Sequence, residues 1–181
     1  MASSSAPSHS LSAQEVRAIM IGLMVAMFPG ALDTTIIGPA MPTIGRELRD
    51  VEHLPWIVTS YLLVSTAVTP LYGKLSDIHG RRVMLLWAIG IFAAGSVLCA
   101  IAPTVILLAL ARAVQAVGGG GLISLAMTII GDIVPPRERP KFQIYTSIMW
   151  TGSSLLGPVL GGYLAEAWHW SLIFWINLPL C

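Results

Sequence analysis

Apolar residues run almost unbroken through five stretches of this chain, and polar residues gather in the short gaps between them. The stretches cover residues 18–40, 54–73, 83–102, 105–130 and 144–165, and a sixth begins near Leu172 and is cut off at Cys181. A helix needs about 20 residues to cross ~30 Å of hydrocarbon, because each residue rises about 1.5 Å. Each stretch therefore predicts a membrane-spanning helix. The gaps are too short for anything but antiparallel neighbours; Ala-Pro-Thr at 102–104 reads as a tight helical hairpin with Pro103 as the breaker. The expected fold class is all-α and integral to the membrane, a bundle of five spans plus the start of a sixth. Residues 1–16 are Ser/Ala-rich and lack the basic start of a secretory signal, so they read as a flexible tail. Ser12 and Glu15 have the spacing of a capping box at the first helix start, or fall so by chance.

Composition strengthens this reading. Of 181 residues, 55% are hydrophobic and 10% are charged, whereas a soluble domain carries about 25% charged residues. The net charge of +1 says nothing about nucleic acid, but there is no basic tract to neutralise a phosphate backbone, so no nucleic-acid partner is expected. Cys99 and Cys181 both lie in apolar runs and are expected to form no disulfide and no metal site. The basic residues are unevenly placed. Arg17, Lys74, Arg81, Arg82, Arg137, Arg139 and Lys141 flank one side of the spans, and Arg46 and Arg49 the other. Basic loops stay in the cytoplasm, so the tail and the links at 74–82 and 131–141 are expected there. The expected location is the inner (plasma) membrane, multi-pass, with a cytoplasmic N-terminus.

Orientation alone does not explain the link. In Tyr72–Leu86, "YGKLSDIHGRRVMLL", the residues Gly73, Leu75, Asp77, Gly80 and Arg81 are interleaved at fixed offsets. Asp77 lies just before the third span, where the positive end of a helix favours a carboxylate, and Gly73 and Gly80 permit sharp turns. The pattern resembles the G-x-L-x-D-x-x-G-R-R signature of the major facilitator superfamily. Four other stretches also resemble that family, in its drug:proton antiporter branch. "LDTTIIGPAMPTI" at 32–44 is similar to the first-helix motif, with Gly38 in place of Asn. "RAVQAVGGGG" at 112–121 is similar to the R-x-x-Q-G motif of helix four, with Ala116 in place of Gly. "GPVLGG" at 157–162 resembles the core of the antiporter motif, Gly157, Pro158, Gly161 and Gly162, although Ile144 and Ser153 stand at its earlier glycine positions. "WHWSLIFWINLPL" at 168–180 resembles the W-R-W-x-F-x-I-N-x-P start of helix six, most typical of the 14-helix group, with His169 for Arg.

The resemblance implies that residues 17–181 are an incomplete N-terminal six-helix half, and that a missing C-terminal half is required for transport. It also implies a cytoplasmic gate latch of Gly73, Asp77, Gly80 and Arg81, with Asp132 as the partner of Arg81. The antiporter motif implies export rather than uptake.

Two charges remain inside spans. Asp33 lies 15 residues from Ala18, about 22 Å in, and Arg112 lies seven residues from Val105, about 10 Å from the opposite surface. Both are expected at similar depth in the outer half. Charge within a bilayer is costly unless paired or hydrated, so the two are expected to share one cavity as a proton-coupling pair. The alternative is that Arg112 caps backbone carbonyls and Asp33 marks a kink near Pro29. Gln115 lies on the same face as Arg112 and is a candidate for the substrate pathway. Gly118–Gly121 read as packing residues. Trp56, Trp87, Trp168, Trp170 and Tyr163 read as interfacial anchors, and Met20, Met24, Met27, Met127 and Met149 as adaptable filler.

The function expected is proton-coupled efflux of drug-like or amphipathic small molecules by alternating access. Its expected partners are the substrate, protons and the lipid bilayer, with no cofactor and no metal. Two alternatives stand beside it: proton-coupled uptake of a sugar or organic anion, and a non-transporting membrane scaffold or subunit. No catalytic residue is expected, because Cys99 has no nearby His and the "GGGG" at 118–121 lacks the Lys-Ser/Thr of a P-loop.

Overall fold

Helices form wherever the chain is apolar enough to leave water, because backbone amides in hydrocarbon can be satisfied only within a segment. The computed structural model describes residues 13–181, and among them there is no strand. Five long helices follow one another: α1 (Ala13–Leu48), α2 (Leu54–His79), α3 (Arg81–Ala100), α4 (Val105–Ile133) and α5 (Arg139–Ala167). Two single turns complete the chain, α6 (Leu172–Trp175) and α7 (Asn177–Leu180). The sixth stretch thus starts at Leu172 as expected, but as two short turns meeting at Ile176. Ser12 of the expected capping box lies outside the described residues, and α1 already begins inside the stretch expected as tail.

The helices outrun the apolar stretches. α1 continues to Leu48, and α2 runs through Lys74 and Asp77 to His79. The expected 74–82 link is therefore two helix ends meeting at Gly80. That glycine has φ 87° and ψ 143°, a conformation essentially closed to side-chain-bearing residues, and its N–H donates to the Ser76 carbonyl at 3.1 Å. Gly73 makes no turn at all; it is an ordinary residue of α2. At the other end of α3 the 102–104 hairpin is as tight as expected. Thr104 caps α4, its hydroxyl accepting from the Leu107 N–H at 3.2 Å. Three prolines lie inside α1 at 29, 39 and 42. Such breaks are tolerated in a membrane helix when neighbours satisfy the freed groups. Near the second of them, Thr35 Oγ1 ties α1 to α5, 2.9 Å from both the Leu32 and the Ser153 carbonyl oxygens.

α1, α2, α3 and α4 are long and apolar enough to cross a membrane. α5, at 29 residues, is long enough, but Gln143, Ser147, Thr151 and its glycines dilute its apolarity. It packs along α1. α4 is the hub, in contact with α1, α2 and α3, and 61% of its most apolar window is buried against 17% for α2. The Gly118–Gly121 run makes this contact: a Cβ at Gly118 would fall on the α3 backbone at Ala88 and Phe92, and one at Gly120 on α2 at Ser65. One apolar cluster joins Ile36, Ile44, Ile57, Val105, Leu108, Ile173 and Phe174 at one end of the bundle. Two smaller clusters fill the other end, around Met27 and Met149 and around Tyr72 and Phe92. Trp170 departs from its expected anchoring role. It is 3% exposed within the first cluster and meets Phe174 edge-on at 6.2 Å, while Trp56, Trp87, Trp168 and Tyr163 are exposed.

Candidate functional site

Between these apolar clusters lies a polar one. Asp33 of α1 and Arg112 of α4 meet with Arg112 Nη1 donating to Asp33 Oδ2 at 2.5 Å, and their side chains are 0% and 2% exposed. Two buried ions in contact satisfy part of each other's lost hydration, but several kcal/mol per ion must still be offset by further hydrogen bonds. Gln115, one turn along from Arg112, supplies them: its Oε1 accepts from Arg112 Nη1 at 2.7 Å, and its Nε2 lies 3.0 Å from Asp33 Oδ1. Gln115 Nε2 also lies 2.9 Å from Ser96 Oγ, whose hydroxyl donates to the Phe92 carbonyl at 2.8 Å. A third donor reaches the carboxylate from the far end of the chain, Asn177 Nδ2, at 3.0 Å from Oδ1. The guanidinium lies 4.2 Å from the Tyr61 ring centroid and 5.9 Å from that of Phe174, so α2 and α6 contribute aromatic faces that attract a cation.

The local sequence explains the convergence. Gly95 lets α3 approach α4 so closely that a Cβ there would fall on the backbone of Gln115. Gly157 and Gly161 do the same for α5 against α1, at Thr35 and at the Ile36 carbonyl, and so hold the helix that carries Asp33. Their motif companions differ: Pro158 is exposed and Gly162 has open space where a Cβ would stand. Only half of the Gly157-Pro158-Gly161-Gly162 motif faces the bundle. Gln115 is fully buried and hydrogen-bonded to both members of the ion pair.

Tyr61, Ser96 and Asn177 were not singled out in the sequence. Polar uncharged residues are common along apolar helices, and nothing in spacing marks which of them point at a charge. Asn177 had one signal, its place in the "INLP" stretch. Among the described residues, no cluster of His, Cys, Asp or Glu is arranged to hold a metal ion.

A second ionic group sits at the Gly80 turn. Arg81 Nη2 pairs with Asp77 Oδ1 at 2.7 Å, and Arg81 Nε with Asp132 Oδ2 at the end of α4 at 3.0 Å. Arg81 Nη1 also donates to Ser76 Oγ and, at 3.4 Å, to the Gly73 carbonyl. Asp77 therefore serves as the i−4 partner of Arg81 from the last turn of α2, and α3 starts with no side-chain cap. Exposed pairs of this kind contribute about 0.2–1 kcal/mol each.

The α1–α2 link is also ionic. His53 Nδ1 lies 2.9 Å from both Asp50 carboxylate oxygens, and this contact holds the His53 imidazole above, and the Asp50 carboxyl below, its ordinary range. His169 Nε2 lies 3.3 Å from Glu47 Oε2 at the same end.

Comparison with known proteins gives one consistent result. Residues 23–181 match the family model described as Major Facilitator Superfamily. The chain is 40% identical over 168 residues to the Multidrug transporter protein MdtP of Bacillus subtilis, which covers 92% of this chain and 31% of that protein. It is 42% identical over 161 residues to the Efflux pump dotC of Dothistroma septosporum, covering 89% of this chain and 28% of that protein. Multidrug resistance protein 3 of Bacillus subtilis is 38% identical over 164 residues, covering 90% and 32%. This chain thus spans about a third of the length of the curated relatives it matches. With membrane-length helices, the signature at the Gly80 turn and a family match over nearly its whole length, the chain belongs to the major facilitator superfamily.

Proposed function

We propose that this chain is most of the N-terminal six-helix half, five spans and the start of a sixth, of a proton-coupled exporter of drug-like or amphipathic small molecules. The observation that carries the reading is the Asp33–Arg112 pair, one carboxylate and one guanidinium sealed together among apolar helices. A carboxylate of this kind changes its attraction to arginine when it takes up a proton, and that is the elementary event a proton-driven cycle needs. The names of the relatives, multidrug transporters and an efflux pump, support the substrate class.

Alternating access requires the Asp33 site to open to each side of the membrane in turn, and a second half to rock against. The Arg81–Asp77–Asp132 group acts as the latch on the cytoplasmic side, closing by weak exposed pairs that a modest push undoes. The N-terminus and this latch face the cytoplasm, as the basic residues around Gly80 and in the α4–α5 link favour. The protein resides in the inner or plasma membrane.

The test has two steps. Intact mass of the native product in its own membrane is expected well above the 19.3 kDa of this chain. That product, reconstituted in vesicles, is then expected to move a fluorescent amphipathic cation only while a pH gradient is held. Efflux that persists after the gradient is collapsed, or a native product of 19.3 kDa with no partner half, contradicts the proposal.

A further inference from the structure

We propose that Asn177 is a positioning residue for the Asp33 carboxylate, through which the sixth helical segment senses whether Asp33 carries a proton. The inference rests on the reading of Asp33 as the proton-coupling group and adds the element that reports its state. Asn177 is fully buried, and its Nδ2 donates to Asp33 Oδ1 at 3.0 Å across 144 positions of sequence. Its own Oδ1 is buried with no hydrogen-bond partner. An amide with one unpaired buried oxygen costs free energy that an apolar side chain of the same size does not. The functional atom is thus Nδ2, and its orientation is fixed, because the reversed amide would set its oxygen against the carboxylate.

Asn177 differs from the other donors in what it is attached to. Arg112 and Gln115 share α4, the hub of the bundle. Asn177 opens α7, next to Phe174 of α6, whose ring lies 5.9 Å from the same guanidinium. Residues 174–177 therefore touch both members of the ion pair from outside the helices that carry them. When Asp33 is protonated it has less need of donors, and the Asn177 bond weakens from charge-assisted to neutral. The sixth segment is then freer to leave α1. Proton binding at Asp33 and movement of that segment are coupled through this one bond, in both directions, as linkage requires.

The experiment is an infrared titration of the protonated Asp33 carboxyl band, in the wild-type protein and in Asn177→Leu, with the band identified by its loss in Asp33→Asn. Removing a charge-assisted donor disfavours the ionised form. The midpoint of the Asn177→Leu titration is expected about one to two pH units higher, a ten- to hundredfold change in proton affinity. The pH profile of gradient-driven efflux by the native product is expected to move by the same amount. Asn177→Gln, which keeps the donor on a longer arm, should recover part of the shift. If the leucine variant does not fold, Asn177→Ser, whose hydroxyl is too short to reach, is read in its place.

An unchanged titration midpoint in a folded Asn177→Leu or Asn177→Ser protein overturns the proposal, whatever transport does. A shifted titration alongside an Asp33→Asn variant that still couples protons to efflux sinks the proton-coupling reading of Asp33 instead. A merely structural role for Asn177 would change thermal stability and leave the titration where it was.

Discussion

Two aspartate–arginine groups in this chain have nearly the same contact distances and opposite surroundings. Asp33–Arg112 is sealed, with 0% and 2% of the side chains exposed. At the Gly80 turn, Arg81 is 28% exposed and its partners Asp77 and Asp132 are 64% and 54% exposed. Water screens the second group and cannot reach the first. Breaking the buried pair therefore strands an ion in a medium that cannot solvate it, whereas breaking the exposed group returns each ion to water. The same chemistry gives a water-excluded charge pair in one place and a solvated contact in the other.

The largest effect is expected at the buried pair. Arg112→Leu leaves the Asp33 carboxylate without its counter-ion, and thermal unfolding in detergent should report a loss of about 3–5 kcal/mol. The double variant Asp33→Leu with Arg112→Met removes both charges, and most of that loss should be recovered. No recovery would mean that the pair contributes through shape rather than charge.

Next comes the turn that brings the exposed group together. Gly80→Ala forces a side chain into a φ of 87°, at a cost of about 1–3 kcal/mol. The same unfolding measurement checks it, and an unaltered midpoint would show that the turn relaxes freely.

Within the exposed group, Asp77→Asn, Asp132→Asn and Arg81→Ala should each insert normally and change stability by less than about 1 kcal/mol. Efflux by the native product should nevertheless fall. Wild-type efflux in the Arg81→Ala variant would remove the latch role and leave an ordinary surface ion pair.

The smallest effect is expected at the His53–Asp50 contact in the α1–α2 link, which is solvent-exposed like the Arg81 group. The hydrogen bond that the His53 ring donates to Asp50 raises the His53 pKa above its usual 6.5, so its contribution is complete below that value and fades as pH rises through the higher folded value. Asp50 is shifted down, so its own contribution holds above about 3.8 and is lost only as pH falls through the lower folded value. The pair is intact between those limits. In an NMR titration of the His53 ring, Asp50→Asn should bring the midpoint down toward 6.5. An unmoved midpoint would mean that the contact is absent in solution.

The contrast between the two groups also marks what was legible in the sequence. Charge is so rare in the apolar stretches that Asp33 and Arg112 stood out, and counting helical rise from opposite ends set them at one depth. The helix α1 runs on to Leu48, so the depth inferred for Asp33 within its helix changes, but its pairing does not. The Arg81–Asp132 contact followed from resemblance to a family signature. What hydropathy hid was helix length, because Lys74 and Asp77 end an apolar run without ending a helix. It also hid the polar uncharged partners. Tyr61 and Ser96 are unremarkable in their own helices, Asn177 is marked only by its place in the "INLP" stretch, and all three matter through what lies across from them. Trp170 misled for a related reason: an aromatic near a span end reads as an anchor until the neighbouring helices are known to cover it.

If the sealed pair couples protons to transport, removing the titratable group of Asp33 must abolish both fluxes together. The native product and its Asp33→Asn variant are placed in vesicles, and proton flux is counted against substrate flux. Asparagine keeps the size of the side chain and one of its two acceptor oxygens, and it cannot take up and release a proton. Substrate efflux driven by the gradient, with matched proton entry, is expected in the wild type and neither in the variant. If Asp33→Asn still exchanged protons for substrate, the buried pair would be a structural strut, and the coupling group would lie elsewhere.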